Sequence, residues 1–425
     1  MEWCRANGCE WSNFTCYCAA KGGHLAVMQW LCDNNCPDNG FPEWWDELVP
    51  HPSFELIRGG HLSRVLKHVG GPVNAVKVTA DSTRCVSAST DALCVWDLAT
   101  GARLQTVKMG PHVSKVFLSS DAMRAVVYDA SKNLSVWDIA TGTMLHELEG
   151  NREVVGELGM TPDGSRGVTY ASYEDNNELQ VWDFDAGTKL CQFQPLTREE
   201  APAGSLERQL ADAVITPDGM HVITCDNDDD APSCVWVAGT GSHVHANGPP
   251  AVKLAVTPDG SRCVSTYSQS LSVWDIQTGA VLFTIESLSG CFAGATITLD
   301  ASRIVVTVET AYTTDEEAAQ HALEDEAAGN IPGGTTQVVD IHTGEKLLAL
   351  ACISEPCQRS ISSDGKKCVS YDFGGKTVEV SDVDTGRLLH EFHGHTIVDG
   401  AAITPDGKRC VSYSKDVYLR VSSIE

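Results

Sequence analysis

Between residues 71 and 425 one pattern recurs eight times: a Thr or Ser, an Asp-centred turn, a basic residue, a short apolar run, and Trp-Asp or its remnant. The turns centre on Asp81, Asp121, Asp163, Asp218, Asp259, Asp300, Asp364 and Asp406, and five of them read Pro-Asp-Gly or Ser-Asp-Gly. The matching Trp column runs Trp96, Trp137, Trp182, Trp236 and Trp274, then becomes Val339, Ser381 and Ser422. Such repetition constrains the fold strongly. A unit of about 40 residues cannot bury its own apolar face and must stack on its neighbours.

One unit, 156–193, shows how the chain is punctuated. An apolar stretch ending at Met160 meets Thr161-Pro-Asp-Gly164, where Pro presets φ and Gly accepts the left-handed conformation of a tight reversal. Arg166 to Tyr170 then reads as a second strand and Leu179 to Asp183 as a third. Ala186-Gly187 turns the chain into a fourth strand, Leu190 to Phe193. Four short strands in each of eight units predict an all-β, eight-bladed β-propeller. The turn from third to fourth strand recurs at Gly101, Gly142, Gly187, Gly241, Gly279, Gly344 and Gly386, one fewer than the Asp turns. The last unit stops at Ile424-Glu425 without its fourth strand, and residues 59–68 resemble the missing piece. Pairing of residues 61–68 with Tyr418 to Val421 would close the ring and leave no exposed sheet edge.

In spacing, turn chemistry and Trp-Asp pairs, residues 59–425 resemble the WD-repeat propellers. That resemblance implies a structural role for Trp96, Trp137, Trp182, Trp236 and Trp274, and a function in assembling multiprotein complexes. The family's Gly-His pair survives clearly at Gly394-His395 alone, and three Trp positions are lost. The Trp-centred hydrogen-bond network is therefore expected to be reduced in most blades, and blades six to eight to deviate most.

The amino-terminal piece is of another kind. Thr15 to Leu31 resembles the two-helix ankyrin unit with Gly22-Gly23 at the inter-helix turn, and Trp3 to Cys9 matches Trp30 to Cys36 at a 27-residue offset. The expected organisation is a short α-helical ankyrin-like segment of partial repeats over 1–38, a linker over 39–58, and the propeller over 59–425 with an acidic insertion at 311–333. About one and a third such units cannot bury a core alone.

The chain carries 57 acidic and 30 basic residues, a formal charge of −27. That balance disfavours nucleic acid and acidic membrane surfaces as partners and suits a protein partner with a neutral or basic surface. No apolar run approaches the ~20 residues of a membrane span, and Met1-Glu-Trp-Cys-Arg5 lacks the pattern of a secretory leader. The 17 cysteines are odd in number, and Cys85, Cys263, Cys368 and Cys410 recur at one strand position. They read as small buried apolar side chains of a reduced, cytoplasmic protein.

Motifs for chemistry are sparse. Cys4, Cys9, Cys16, Cys18, Cys32 and Cys36 cluster, but their spacings match no zinc template and structural cysteines are the preferred reading. Gly374-Gly-Lys-Thr377 echoes a phosphate loop but falls between two predicted strands rather than before a helix, so it reads as a hairpin turn. No nucleophile elbow, zinc-protease helix or paired catalytic carboxylates stand out, so no catalytic residue, metal or cofactor is expected.

Spacing in the Trp column is 38 to 45 residues except for gaps of 54 and 65. The first contains residues 195–204. The second contains 313–329, with the capping box Thr314 and Glu317, an Ala-rich helical stretch, six acids and no Lys or Arg. In a propeller the loops from second to third strand and from fourth to the next first strand open on one face. Acidic segments there supply candidate partner-binding residues Glu174, Asp175, Asp226, Asp228, Asp229, Asp230, Asp315, Glu316, Glu317, Glu324, Asp325 and Glu326. Solubilising loops are the bland alternative. The leading expectation is a non-enzymatic protein-interaction scaffold. The alternatives are the sensor propeller of a larger nucleotide-driven signalling assembly and, less favoured, a quinone-dependent dehydrogenase.

Overall fold

The computed structural model describes residues 55–58, 61–109, 113–129, 133–148, 157–170, 178–195, 210–226, 231–286, 291–298, 300–309, 335–351, 357–372, 377–393, 397–414 and 417–424. Within them lie eight antiparallel sheets, seven of four strands and one of five. In the seven, the strands follow one another in sequence order and are lettered a to d. Blade 1 is 73–108, blade 2 is 113–148, blade 3 is 157–193 and blade 4 is 210–248. Blade 5 is 253–286, blade 6 is 291–351 and blade 7 is 357–393. The a strands of most neighbouring blades touch, including those of blade 1 (Val73–Val78) and blade 8 (Gly400–Ile403). The molecule is an eight-bladed β-propeller.

The eighth sheet takes Gly400–Ile403, Arg409–Tyr413 and Tyr418–Ser423 from the carboxyl end, then His61–Lys67 and Glu55–Arg58 from the amino end. His61–Lys67 runs antiparallel to Tyr418–Ser423, with Ser63 opposite Ser422 and Lys67 opposite Tyr418. Glu55–Arg58 pairs outside it, Leu56 opposite Ser63. The stretch expected as linker, 39–58, therefore ends in a strand. Its backbone polar groups gain partners at what would otherwise be a sheet edge. The ankyrin-like reading of 1–38 lies outside the described residues, as does the helix expected in 313–329.

Burial follows position in the blade. Strands b and c are covered by a neighbouring blade on each face, so Arg84–Ser89 and Ala92–Asp97 are buried almost throughout rather than alternating. Strand d is outermost and its residues are largely exposed, as in Val281–Glu286. In blades 1 to 7 the c–d register slips beside the Trp column, as between Val95 and Trp96 or Val338 and Val339. This repeated bulge adds local twist to the outer edge. The slip persists at Val339 and Ser381, so blades 6 and 7 keep the backbone pattern although their Trp is gone.

The cysteine column lies against the Trp column: Cys85 faces Trp96, Cys263 faces Trp274, Cys368 faces Ser381 and Cys410 faces Ser422. All four thiols are free and buried. Burial raises Cys85 and Cys263 far above the usual thiol range and pushes Cys410 up to about 12. These are inert packing residues.

Candidate functional site

The two rims of the ring are built differently. On one, each Asp turn is tied by its own side chains. Thr79 Oγ1 donates to Asp81 (2.5 Å), and Asp81 accepts the Thr83 N–H (3.0 Å). The same hydroxyl accepts the N–H of Arg84 (3.1 Å). Equivalent bonds recur from Ser119 to Asp121, Thr161 to Asp163, Thr216 to Asp218, Thr257 to Asp259, Thr298 to Asp300, Ser362 to Asp364 and Thr404 to Asp406. The hydroxyls of Thr79, Thr257 and Thr298 are the main cause holding Asp81, Asp259 and Asp300 below the usual carboxylate range. The Asp of each Trp-Asp pair seals the c–d turn in the same way: Asp275 accepts both the N–H and the hydroxyl of Thr278.

In five blades the basic residue after the Asp turn, Arg124, Arg166, Arg262, Arg303 or Lys367, reaches the next blade. Arg166 donates to the Gly219 carbonyl (2.8 Å) and Lys367 to the Gly407 carbonyl (2.8 Å), each in the next blade's turn. Arg303 reaches Gly365 O (3.3 Å) and Asp384 (2.7 Å), while Arg124 pairs with Asp185. These five cations of the rim tie neighbouring blades together.

The elongated segments all leave from the opposite rim. Strands b and c of blade 3 end their pairing at Tyr170 and Leu179, those of blade 4 at Thr224 and Cys234, and those of blade 6 at Val308 and Thr335. Between these ends run the acidic segments. Glu174, Asp175, Asp228, Asp229, Asp230, Asp315, Glu316, Glu317, Glu324, Asp325 and Glu326 lie outside the described residues. Asp226 does not belong with them. It is the last residue of strand b in blade 4, opposite Leu210, and is 4% exposed. The strand continues one residue further than its acidic character suggested, and Asp226 is enclosed with the rest of it. Gly374 to Lys376 lie between the antiparallel strands Lys367–Asp372 and Thr377–Asp382, which is hairpin and not phosphate-loop topology.

The Trp column retains more of its bonding than its sequence implied. Trp96, Trp182, Trp236 and Trp274 donate their indole N–H to Ser87, Thr169, Thr224 and Ser265 on strand b at 2.7–3.0 Å. Trp137 donates instead to Ser135 on its own strand (2.9 Å). In blade 1 the chain extends further, because His68 Nδ1 lies 2.8 Å from Ser87 Oγ. His68 is 3% exposed, and burial lowers its pKa to about 4, so it is neutral at pH 7. It follows Val-Leu-Lys rather than Gly, which is why the Gly-His signature passes over it.

A second polar centre escaped the sequence. Asp212, in the otherwise apolar strand Leu210–Ile215, is 7% exposed and accepts from the Tyr170 hydroxyl (3.0 Å), the Ala213 N–H (2.9 Å) and the Leu254 N–H (3.0 Å). One carboxylate thereby ties blades 3, 4 and 5 together. Its only sequence signal is an acid where its strand neighbours are apolar. Among the described residues no group of His, Cys, Asp and Glu is arranged to hold a metal ion. Nor is any described helix long and apolar enough to cross a membrane.

Known proteins resemble this chain in part. Residues 89–230, about a third of it, match the family model PQQ_2, described as outer membrane protein assembly factor BamB. Cilia- and flagella-associated protein 52 of Homo sapiens is 25% identical over 127 residues, 30% of this chain and 20% of that protein. The Macaca fascicularis protein of the same name is also 25% identical over 127 residues, 22% of its length. The matched segment thus spans only about a fifth of these relatives. Among solved structures, the computationally designed Ika8 protein aligns with a TM-score of 0.60 at 22% identity, covering 84% of this chain and 98% of that one. That likeness is one of fold alone.

Proposed function

We propose that the protein is a non-enzymatic interaction scaffold that docks other proteins on the loop-bearing rim of the propeller. The observation that carries this reading is the asymmetry of the two rims. One is sealed by its own turn and inter-blade hydrogen bonds, while the segments of extra length are anchored on the other. A rigid ring with variable segments on one side suits recognition, because the frame fixes where each segment begins. The partial likeness to a cilia- and flagella-associated protein supports a role among protein assemblies, and fold alone names no partner. With a charge of −27, the partner's surface is neutral or basic, and nucleic acid and membrane surfaces are disfavoured. In this reading the protein is cytoplasmic, residues 1–38 are an appended segment, and pairing of His61–Lys67 with Tyr418–Ser423 is what closes the ring.

The test compares affinity capture by the intact chain with capture by a chain lacking residues 311–333. A partner retained by the first and lost by the second supports the docking face. Equal capture by both removes the insertion from the interface. The match of residues 89–230 to the PQQ_2 family keeps the quinone-dependent dehydrogenase as a second reading. A visible absorption band in the purified protein, lost on extraction of a small molecule, would favour it over the scaffold.

A further inference from the structure

Strand d is the outer edge of each of blades 1 to 7, paired with strand c on one side and with no described strand on the other. In six of the seven it carries Lys, Arg or His, as with Arg103 and Lys108 in blade 1 or Lys346 in blade 6. Charged side chains of this kind keep an open edge from pairing with other chains. Blade 5 is the exception. Its strand Val281–Glu286 reads Val-Leu-Phe-Thr-Ile-Glu, with Val281 and Leu282 each 48% exposed and Glu286 its sole charge. Glu286 is exposed and makes no ion pair with a described residue. The c–d bulge lies beside Trp274, and beyond it Phe283 to Glu286 pair regularly with Val273 to Ser270.

The eighth sheet shows what such an edge accepts. There Glu55–Arg58 lies antiparallel along the outside of His61–Lys67, the counterpart of strand d, over four residues. We infer that the outer edge of blade 5 takes a β-strand from a partner protein, an extended segment with apolar residues at alternate positions and a Lys or Arg opposite Glu286. Backbone pairing gives partners to the outward N–H and C=O groups of Val281–Glu286. Side chains set opposite Phe283 and Ile285 extend the apolar cluster that those two residues join between blades 5 and 6, and the cation pairs across the strands with Glu286. A second copy of this chain fits less well. Antiparallel pairing of Val281–Glu286 with itself puts Val281 opposite Glu286 at both ends and supplies neither carboxylate with a cation, between two molecules of charge −27. The edge lies on the circumference, apart from the loop-bearing rim, and the inference stands whether or not that rim docks a partner.

The experiment uses the full chain and, as probe, the fluorescently labelled peptide Lys-Val-Thr-Ile-Thr-Val, which in antiparallel register sets its Lys opposite Glu286 and its Ile opposite Phe283. Fluorescence anisotropy at low salt should show saturable binding, about threefold or more tighter than for the same peptide with Glu in place of Lys. N-methylation of one alternate set of the peptide's amides should remove binding and N-methylation of the other set should leave it, because an antiparallel strand bonds to its neighbour through every second residue. Glu286→Lys, at an exposed position, should melt with the parent and reverse the preference, taking the Glu peptide over the Lys peptide. No binding at millimolar concentration, binding that survives both N-methylations, or a preference for the Lys peptide that persists in Glu286→Lys would each overturn the inference. A dimer seen in sedimentation and dissociated by the peptide would overturn it too, giving the edge to a second copy.

Discussion

At the scale of single residues, the polar groups inside the blades set how the protein responds to pH. His68 titrates at about 4 in the folded state, against roughly 6.5 when unfolded. Between these values the unfolded chain binds a proton that the native one refuses. The stability from keeping His68 neutral is therefore complete above the unfolded value and falls as pH drops toward 4. Urea unfolding at pH 7 and at pH 5 should differ by roughly 2 kcal/mol from this group alone, and His68→Asn should flatten that difference. An unchanged pH slope in the variant would remove His68 as its source. The turn carboxylates act lower: Asp81, Asp259 and Asp300 have depressed values, so their contribution is present above about pH 4 and lost beneath it. The cysteine column should be silent by comparison. Thiol labelling followed by mass spectrometry should modify Cys85, Cys263, Cys368 and Cys410 only after denaturant is added. Labelling of any one in the native protein would show that its blade opens. The burial of these cysteines was legible from their recurrence at one strand position. His68, Asp212 and Asp226 were not, because a polar residue in a strand reveals its partner only when another blade is placed against it.

At the scale of elements, the Asp turn is the most repeated device, and its geometry asks for a left-handed residue after the Asp. Gly164, Gly219, Gly260, Gly365 and Gly407 supply it with φ near +70°, while Ser82, Ala122 and Ala301 occupy the same position at +60°, +56° and +53°. A side chain there costs about 1–2 kcal/mol, offset in part by the greater freedom glycine loses on folding. Ala301→Gly, at a half-buried site, should therefore raise stability by about 0.5–1 kcal/mol. Ser82→Gly should not, since Ser82 Oγ accepts the Asp406 N–H (3.0 Å) across the junction of blades 1 and 8. Equilibrium unfolding of the two variants checks the contrast, and stabilisation of both by the same amount would deny the serine its role between blades. Turn positions, strand order and the length of each unit were readable from Asp, Gly and Trp spacing because these features are local. The inter-blade reach of Arg166 and Lys367 was not, although a basic residue was visible after each turn, since its acceptor is a backbone carbonyl with no sequence signature.

At the scale of the whole molecule, His61–Lys67 and Tyr418–Ser423 pair in one sheet, and the proposal that this pairing closes the ring makes it a point where the ring can be tested. Leu66, from the amino end, is 1% exposed and packs in one cluster with Val73, Trp96, Val411, Leu419 and Val421. The cluster thus joins blade 1 to strands from the far end of the sequence. A chain starting at residue 70 loses Leu66 and leaves Tyr418–Ser423 with an open edge. Such an edge invites pairing with another molecule. The truncated protein should aggregate or melt far below the parent. A chain starting at residue 52 keeps both amino-terminal strands of the eighth sheet and should melt close to the parent. Leu66→Ala separates the two effects, because it preserves the backbone pairing and removes only the packing, at a cost of about 2–5 kcal/mol. Aggregation by the chain from residue 70 but not by Leu66→Ala assigns the protection to strand pairing. If the chain from residue 70 remains monomeric and melts with the parent, the remaining three strands hold the ring without their partner and the closure reading fails.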